Sequence, residues 1–391
     1  MCAKQLLNGK GFKTMQTANE FMAQAARETK LSDFGDDSFK EGLEILLGAL
    51  ESEAALNRAG EGIFEQRILG ALKNRLHVED WYRRHPEIDS EIIVAPLIGI
   101  SLPRTGSTAL SFLLAQDPNA RSLRSYESAQ PCPPPAMVTG PDPRIQHLNN
   151  DETRPKGAKR HVPSAATGPA ECQELMALDF KSQLFLAFAQ IPTYAQWLLT
   201  ADLTTTYAYE RRVLKLLQWR SPTSPWRLKA PTHLLYLDHL DKVFPDARFV
   251  MTHRDPTDVL LSVIYLFDDY TSKLSDHADP HYTAELNINM WKIGIERAMA
   301  FRANGNEHRF FDIDFTAMQQ QPIAEVTALY QWLDCPVSHE FETGMQNWWQ
   351  HNAANRERNP KPDPSHYQFD ADQVRPLFAE YIQKTQQWLS Q

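Results

Sequence analysis

Gly99 to Thr108, GISLPRTGST, constrains this chain more than any other stretch. The apolar run Ile92 to Ile100 leads into Ser101-Leu102-Pro103-Arg104-Thr105-Gly106-Ser107-Thr108, and Ala109, Leu110, Phe112, Leu113 and Leu114 follow. An apolar run closed by turn residues predicts a buried strand, then a tight turn, then a helix. Such a corner aims unpaired backbone N–H groups at one point, where the helix dipole adds partial positive charge. Gly106 lets the backbone approach an anion, while Thr105, Ser107 and Thr108 bring hydroxyls. Arg104 adds a forked cation suited to a phosphate or sulfuryl group. The competing reading is an ordinary strand-to-helix turn with a Ser or Thr cap. The nucleotide-hydrolysing pattern G-x-x-x-x-G-K-[ST] is excluded, because the basic residue here precedes Gly106 and the two glycines stand seven positions apart.

The same alternation recurs downstream. Arg248 to His253 reads as a strand, followed by Arg254-Asp-Pro-Thr-Asp258 and an apolar helix from Val259 to Phe267. Arg227 to Ala230 and Arg309 to Phe315 are further strand candidates. Strands alternating with helices predict an α/β fold with a parallel sheet covered on both faces. Residues 1–90 read instead as helices, from spacings such as Phe39, Leu43, Leu46, Leu47 and Leu50. They form either a cap packed on the α/β domain of residues 91–391 or an acceptor-binding or dimerising surface, which leaves a homodimer as one option. Gly140 to Pro169 is a polar loop that would suit a lid, and residues 352–369 form a basic loop. The aromatic set Phe180, Phe185, Phe188, Tyr194 and Trp197 is either the packed face of an amphipathic helix or an apolar wall for an acceptor.

Composition narrows the partners. With 40 Lys and Arg against 49 Asp and Glu, the net charge of −9 argues against a general nucleic-acid binder, yet a local basic pocket can oppose that sign. The four cysteines, at 2, 132, 172 and 335, show neither metal-ligand nor redox-motif spacing and suggest a reducing compartment. The first residues lack the apolar core of a secretory signal, and no run is long and apolar enough to span a bilayer. The expectation is a cytoplasmic protein with no metal.

Arg254 and Ser262 stand eight residues apart, one at a strand end and one on the next helix, where both can reach one anion. The alternative for Arg254-Asp-Pro is a helix start, with Asp255 as N-cap, Pro256 at its first position and Arg254 in a salt bridge. Together the two corners resemble the sulfotransferase family. Pro103 to Thr108 is similar to its 5′-phosphosulfate loop, and Arg254 with Ser262 to its 3′-phosphate motif. Trp226 to Leu234, Phe244 to Phe249, Tyr194 to Trp197 and Tyr207 to Gln218 resemble the broad bacterial branch of the family. The resemblance covers roughly residues 95 to 380. It implies a P-loop-type three-layer α/β fold, 3′-phosphoadenosine 5′-phosphosulfate as donor, and metal-independent transfer to a hydroxyl of a small-molecule or lipid acceptor. Two departures stand out: Arg104 occupies a position where the soluble hormone and phenol branch usually has lysine, and the Gly-rich basic segment of that branch has no match. Arg356, Arg358 and Lys361 lie in a suitable region, as cofactor ligands or as a solvated loop.

Sulfuryl transfer needs an in-line acceptor, a base for its proton, and cations on the oxygens and leaving phosphate. Arg104 and Lys229, the latter at a predicted strand end, are the expected cations. The expected base is Glu127, 23 positions beyond Arg104, as in family branches that place a glutamate before a proline-rich stretch such as Pro131 to Pro135. His233, four positions after Lys229, is second, and Glu171 and His161 follow. Two rival functions stay open: a nucleotide-dependent kinase or phosphotransferase on the same kind of fold, weakened by the missing lysine and metal-binding aspartate, and a non-catalytic nucleotide-binding protein.

Overall fold

Five short parallel strands form one sheet in a computed structural model that describes residues 15–150, 165–355 and 362–390. They are β1 (Leu97–Ser101), β2 (Arg121–Ser122), β3 (Trp226–Lys229), β4 (Arg248–His253) and β5 (Phe310–Asp314), in the spatial order β2-β3-β1-β4-β5. Every residue of β1 and β3 is buried, as expected for a parallel sheet covered on both faces. With β1 in the middle, the chain goes to one side for β2 and β3 and to the other for β4 and β5. That switch opens a crevice at the carboxyl ends of the strands.

β1 is shorter than the apolar run that announces it. Ile92 and Val94 lie outside it, 71% and 61% exposed. Pro96 brings no N–H to a ladder, and Ala95 takes a left-handed φ of 41°. β4 covers the predicted residues, and β3 and β5 each lie within a residue or so of expectation.

The helices that frame the sheet begin with α1 (Ala18–Thr29), α2 (Ser38–Ser52) and α3 (Arg58–Arg84). Next come α4 (Ser107–Leu114), α5 (Ser125–Ala129), α6 (Pro143–Asn150), α7 (Gln173–Met176), α8 (Pro192–Thr200) and α9 (Thr204–Gln218). α10 (Leu237–Val243), α11 (Pro256–Leu274) and α12 (Pro280–Phe301) follow. Phe21, Phe39, Phe64 and Leu76 of α1 to α3 join Phe185, Tyr207 and Phe249 in one continuous apolar core. Arg75 of α3, wholly buried, donates to the carbonyls of Phe34, Leu178 and Asp36 at 3.0, 3.1 and 2.9 Å.

The aromatic set is core: Phe180, Phe185, Phe188 and Tyr194 are buried, and Trp197 packs against them from a partly exposed position. The segment is no single amphipathic helix. Phe180 is left-handed (φ 53°), and Pro192 starts a fresh helix, so two 3-10 turns precede α8. Among the described residues, no helix is long and apolar enough to cross a membrane.

Candidate active site

The turn after β1 holds Arg104 at φ 66° and Gly106 at φ 90°. Gly106 is the N-cap of α4, and no side chain there caps the first-turn N–H groups. A Cβ at Gly106 would stand 3.3 Å from the Phe315 ring. Gly106→Ala is therefore expected to cost about 1–2 kcal/mol from the left-handed backbone alone, read by urea unfolding. Gly99 matters for a different reason, since a Cβ there would meet the Lys229 side chain at 3.0 Å.

Not every hydroxyl of the turn faces the crevice. Thr105, fully buried, donates to the Leu102 carbonyl at 2.8 Å and lies 2.6 Å from the Thr252 hydroxyl. Thr252 in turn lies 2.8 Å from the Ser101 hydroxyl. This chain of hydroxyls stitches the turn to β4 and limits Thr105 to its backbone as an anion ligand. Ser107 is buried as the first residue of α4, and Thr108 is half-buried behind it.

The two predicted corners touch. Arg104 donates through Nε to the Ser262 hydroxyl at 3.0 Å, and Arg254 reaches the Arg104 carbonyl at 3.4 Å. The Arg254 guanidinium lies over the Phe315 ring, 4.7 Å from its centre, and 3.3 Å from Asp258. The helix-start reading of this corner is also realised, because the Asp255 side chain accepts from the Thr257 N–H at 2.9 Å and Pro256 opens α11. Arg254, ion-paired with Asp258, completes that reading.

Lys229, the last residue of β3, makes a close ion pair with Glu171 and lies 3.5 Å from the Thr108 hydroxyl. Glu171 is placed by backbone bonds on either side of it: Ala170 N–H donates to Leu123 at 2.7 Å, and Cys172 N–H to Lys229 at 3.0 Å. Its sequence context carries no motif, which is why the sequence ranks it low.

Glu127 is held by Arg121 and Arg124. It is buried, paired with Arg121 at 2.8 Å, and accepts from the Arg124 N–H at 3.0 Å as a cap of the short α5. Burial raises its carboxyl above the usual range, and Arg121 acts most strongly against that rise. His233, on the 3-10 turn that follows β3, is buried, with Nδ1 3.0 Å from the Tyr207 hydroxyl. Burial pushes its imidazole down to about 3, so it is neutral at ordinary pH. The spacing argument finds no metal-ligand cluster, but the fold assembles one: Cys172, Glu210 and His233 have ligand atoms within 4.8 Å of one another. His161, Arg356, Arg358 and Lys361 lie outside the described residues.

A parallel sheet in this strand order, with an uncapped helix N-terminus, Arg104, Arg254 and Lys229 at its carboxyl edge, defines a P-loop-like α/β fold. Residues 96–339 match the model of the sulfotransferase family. The fold is similar to that of sulfotransferase STF9 from Mycobacterium avium, at 30% identity and a TM-score of 0.85 over 96% of this chain and 98% of that one. It is also similar to sulfotransferase STF1 from Mycobacterium tuberculosis H37Rv, at 29% identity and a TM-score of 0.84 over 94% and 100%. No functionally curated protein matches the chain. The chain belongs to the sulfotransferase family, and so to the transferases.

Proposed function

We propose that this protein transfers a sulfuryl group from 3′-phosphoadenosine 5′-phosphosulfate to a hydroxyl of a small-molecule or lipid acceptor. The observation that carries the reading is the contact between the two corners, Arg104 on Ser262 and Arg254 on the Arg104 carbonyl. A donor with anionic groups at both ends fits this set of guanidinium groups, hydroxyls and uncapped N–H groups. When bound, the donor supplies an activated sulfuryl group with a phosphate as leaving group. Arg254 and Ser262 hold the 3′-phosphate, and the Arg104 to Thr108 turn holds the 5′ end. The Lys229 ammonium balances charge that develops on the reacting oxygens. Lys229 exchanges its Glu171 partner for the anion, and that carboxylate then accepts the acceptor's proton. The free thiols Cys132, Cys172 and Cys335 suit a reducing, cytoplasmic setting.

Titration calorimetry with 3′-phosphoadenosine 5′-phosphate, against ATP with magnesium, tests the donor. The bisphosphate should bind and ATP should not. Arg254→Ala should weaken the bisphosphate by about 10–100-fold, the worth of a charge-assisted hydrogen bond. Tighter binding of ATP with magnesium would favour a phosphotransferase. Turnover of radiolabelled donor with a cell extract would reveal the acceptor class, and its absence would favour a non-catalytic binder.

A further inference from the structure

Three buried side chains from three elements meet behind the carboxyl end of β3. Cys172 precedes α7, Glu210 lies on α9, and His233 sits on the 3-10 turn Pro231–Leu235. All three are at most 1% exposed, and one ligand atom from each falls within 4.8 Å of the others. Neither His233 Nε2 nor Glu210 Oε2 has a hydrogen-bond partner. The Cys172 thiol interacts with the Glu210 carboxyl, while each unsatisfied buried polar atom that remains costs about 1–3 kcal/mol, which a shared occupant would offset.

We propose that Cys172, Glu210 and His233 form a closed site for one divalent cation of the zinc class, distinct from the anion-binding edge. A thiolate, a carboxylate and an imidazole are a zinc-type donor set, which calcium and magnesium do not favour. A thiolate and a carboxylate together cancel the two positive charges, so the occupied site is neutral in its apolar surroundings. Binding releases the thiol proton, and the carboxyl proton if it is held, to solvent. The Tyr207 hydroxyl stands 3.0 Å from His233 Nδ1, and in the tautomer this site requires Nδ1–H donates to it while Nε2 presents a lone pair to the cluster. Three protein ligands leave a fourth position for an enclosed water. Because the ligands are sealed from solvent, the cation enters as the chain folds. It would tie α7 and α9 to the strand end that carries Lys229.

The test uses the full chain, expressed without a histidine tag in zinc-supplemented medium and dialysed against a chelator. Metal analysis should find about one zinc per chain, released on denaturation. Refolding with cobalt(II) should produce thiolate-to-cobalt absorption in the near ultraviolet. Cys172→Ser should abolish that band, Cys335→Ser should leave it, and Tyr207→Phe should weaken cation retention by about 10–100-fold. A refolded wild-type chain with neither stoichiometric metal nor the band would overturn the proposal, as would unchanged metal content in folded Cys172→Ser and His233→Gln. Should Cys172→Ser fail to fold, the wild-type metal content and cobalt spectrum decide alone. A cluster that holds only a proton between Glu210 and His233 would give the negative result in both.

Discussion

Glu171→Gln is expected to lower turnover by about 10²–10⁴-fold, the usual worth of a general base, without weakening 3′-phosphoadenosine 5′-phosphate binding. Two carboxylates compete for this role, and their surroundings differ. Glu171 is the one in contact with Lys229, and it is 35% exposed, open to an incoming acceptor. Glu127 is sealed to 3% exposure, with one oxygen on Arg121 and the other on a backbone N–H. Gln at 127 keeps one of these two acceptors, its amide carbonyl, and turns an NH2 donor toward the other; neither contact involves Lys229, so turnover should stay within about tenfold of wild type, a barrier change near 1.4 kcal/mol. Single-turnover assays with radiolabelled donor separate the chemical step from binding, and calorimetry reports the binding. A larger loss in Glu127→Gln than in Glu171→Gln would return the base to the position that family spacing indicates. Neither variant should weaken the bisphosphate; Glu171→Gln, which frees Lys229 of its counter-charge, should bind it as tightly as wild type or tighter.

What the sequence made legible, and what it hid, follows from the range of the interactions involved. β4 and the start of α11 could be read residue by residue, because Arg248 to His253 is a bounded apolar run and Asp255-Pro256 is a local helix start. Arg104 and Ser262 were legible as separate motifs, and the fold brings them to 3.0 Å. β2 escaped, since two residues show no period, and its pairing with Trp226 and Arg227 is a tertiary fact. Glu127 matched a family spacing, but its partner Arg121 could not be known before the turn between them was folded. Glu171 ranked low for the reverse reason: backbone bonds to Leu123 and Lys229, remote in sequence, set its contact with Lys229. Cys172, Glu210 and His233 are likewise too widely spaced in the chain to form a motif.

Asp179→Ala is expected to cost about 3–5 kcal/mol of stability, the penalty for breaking a buried ion pair by removing one partner. Asp179 is fully buried, 3.6 Å from Arg75 and 3.2 Å from Lys181, and both cations are themselves buried. Its oxygens also accept from Ser38 at 2.7 Å and Thr206 at 2.8 Å. The carboxylate thus joins α2, α3 and α9 at one point. Arg75 is held between the Phe39 and Tyr209 rings, 4.3 and 4.0 Å from their centres, and has no route to water once its counter-charge is gone. Asp179→Asn should cost less, since an amide keeps an acceptor for the hydroxyls while losing the charge. Urea unfolding followed by far-ultraviolet circular dichroism and tryptophan fluorescence measures both variants. Trp81 on α3 and Trp219 after α9 pack edge to face with centres 6.2 Å apart, so fluorescence reports on this junction. A cost below about 1 kcal/mol, the range of a surface pair, would sink the argument. So would an early separate transition for α1 to α3, because a shared apolar core should melt with the sheet it covers.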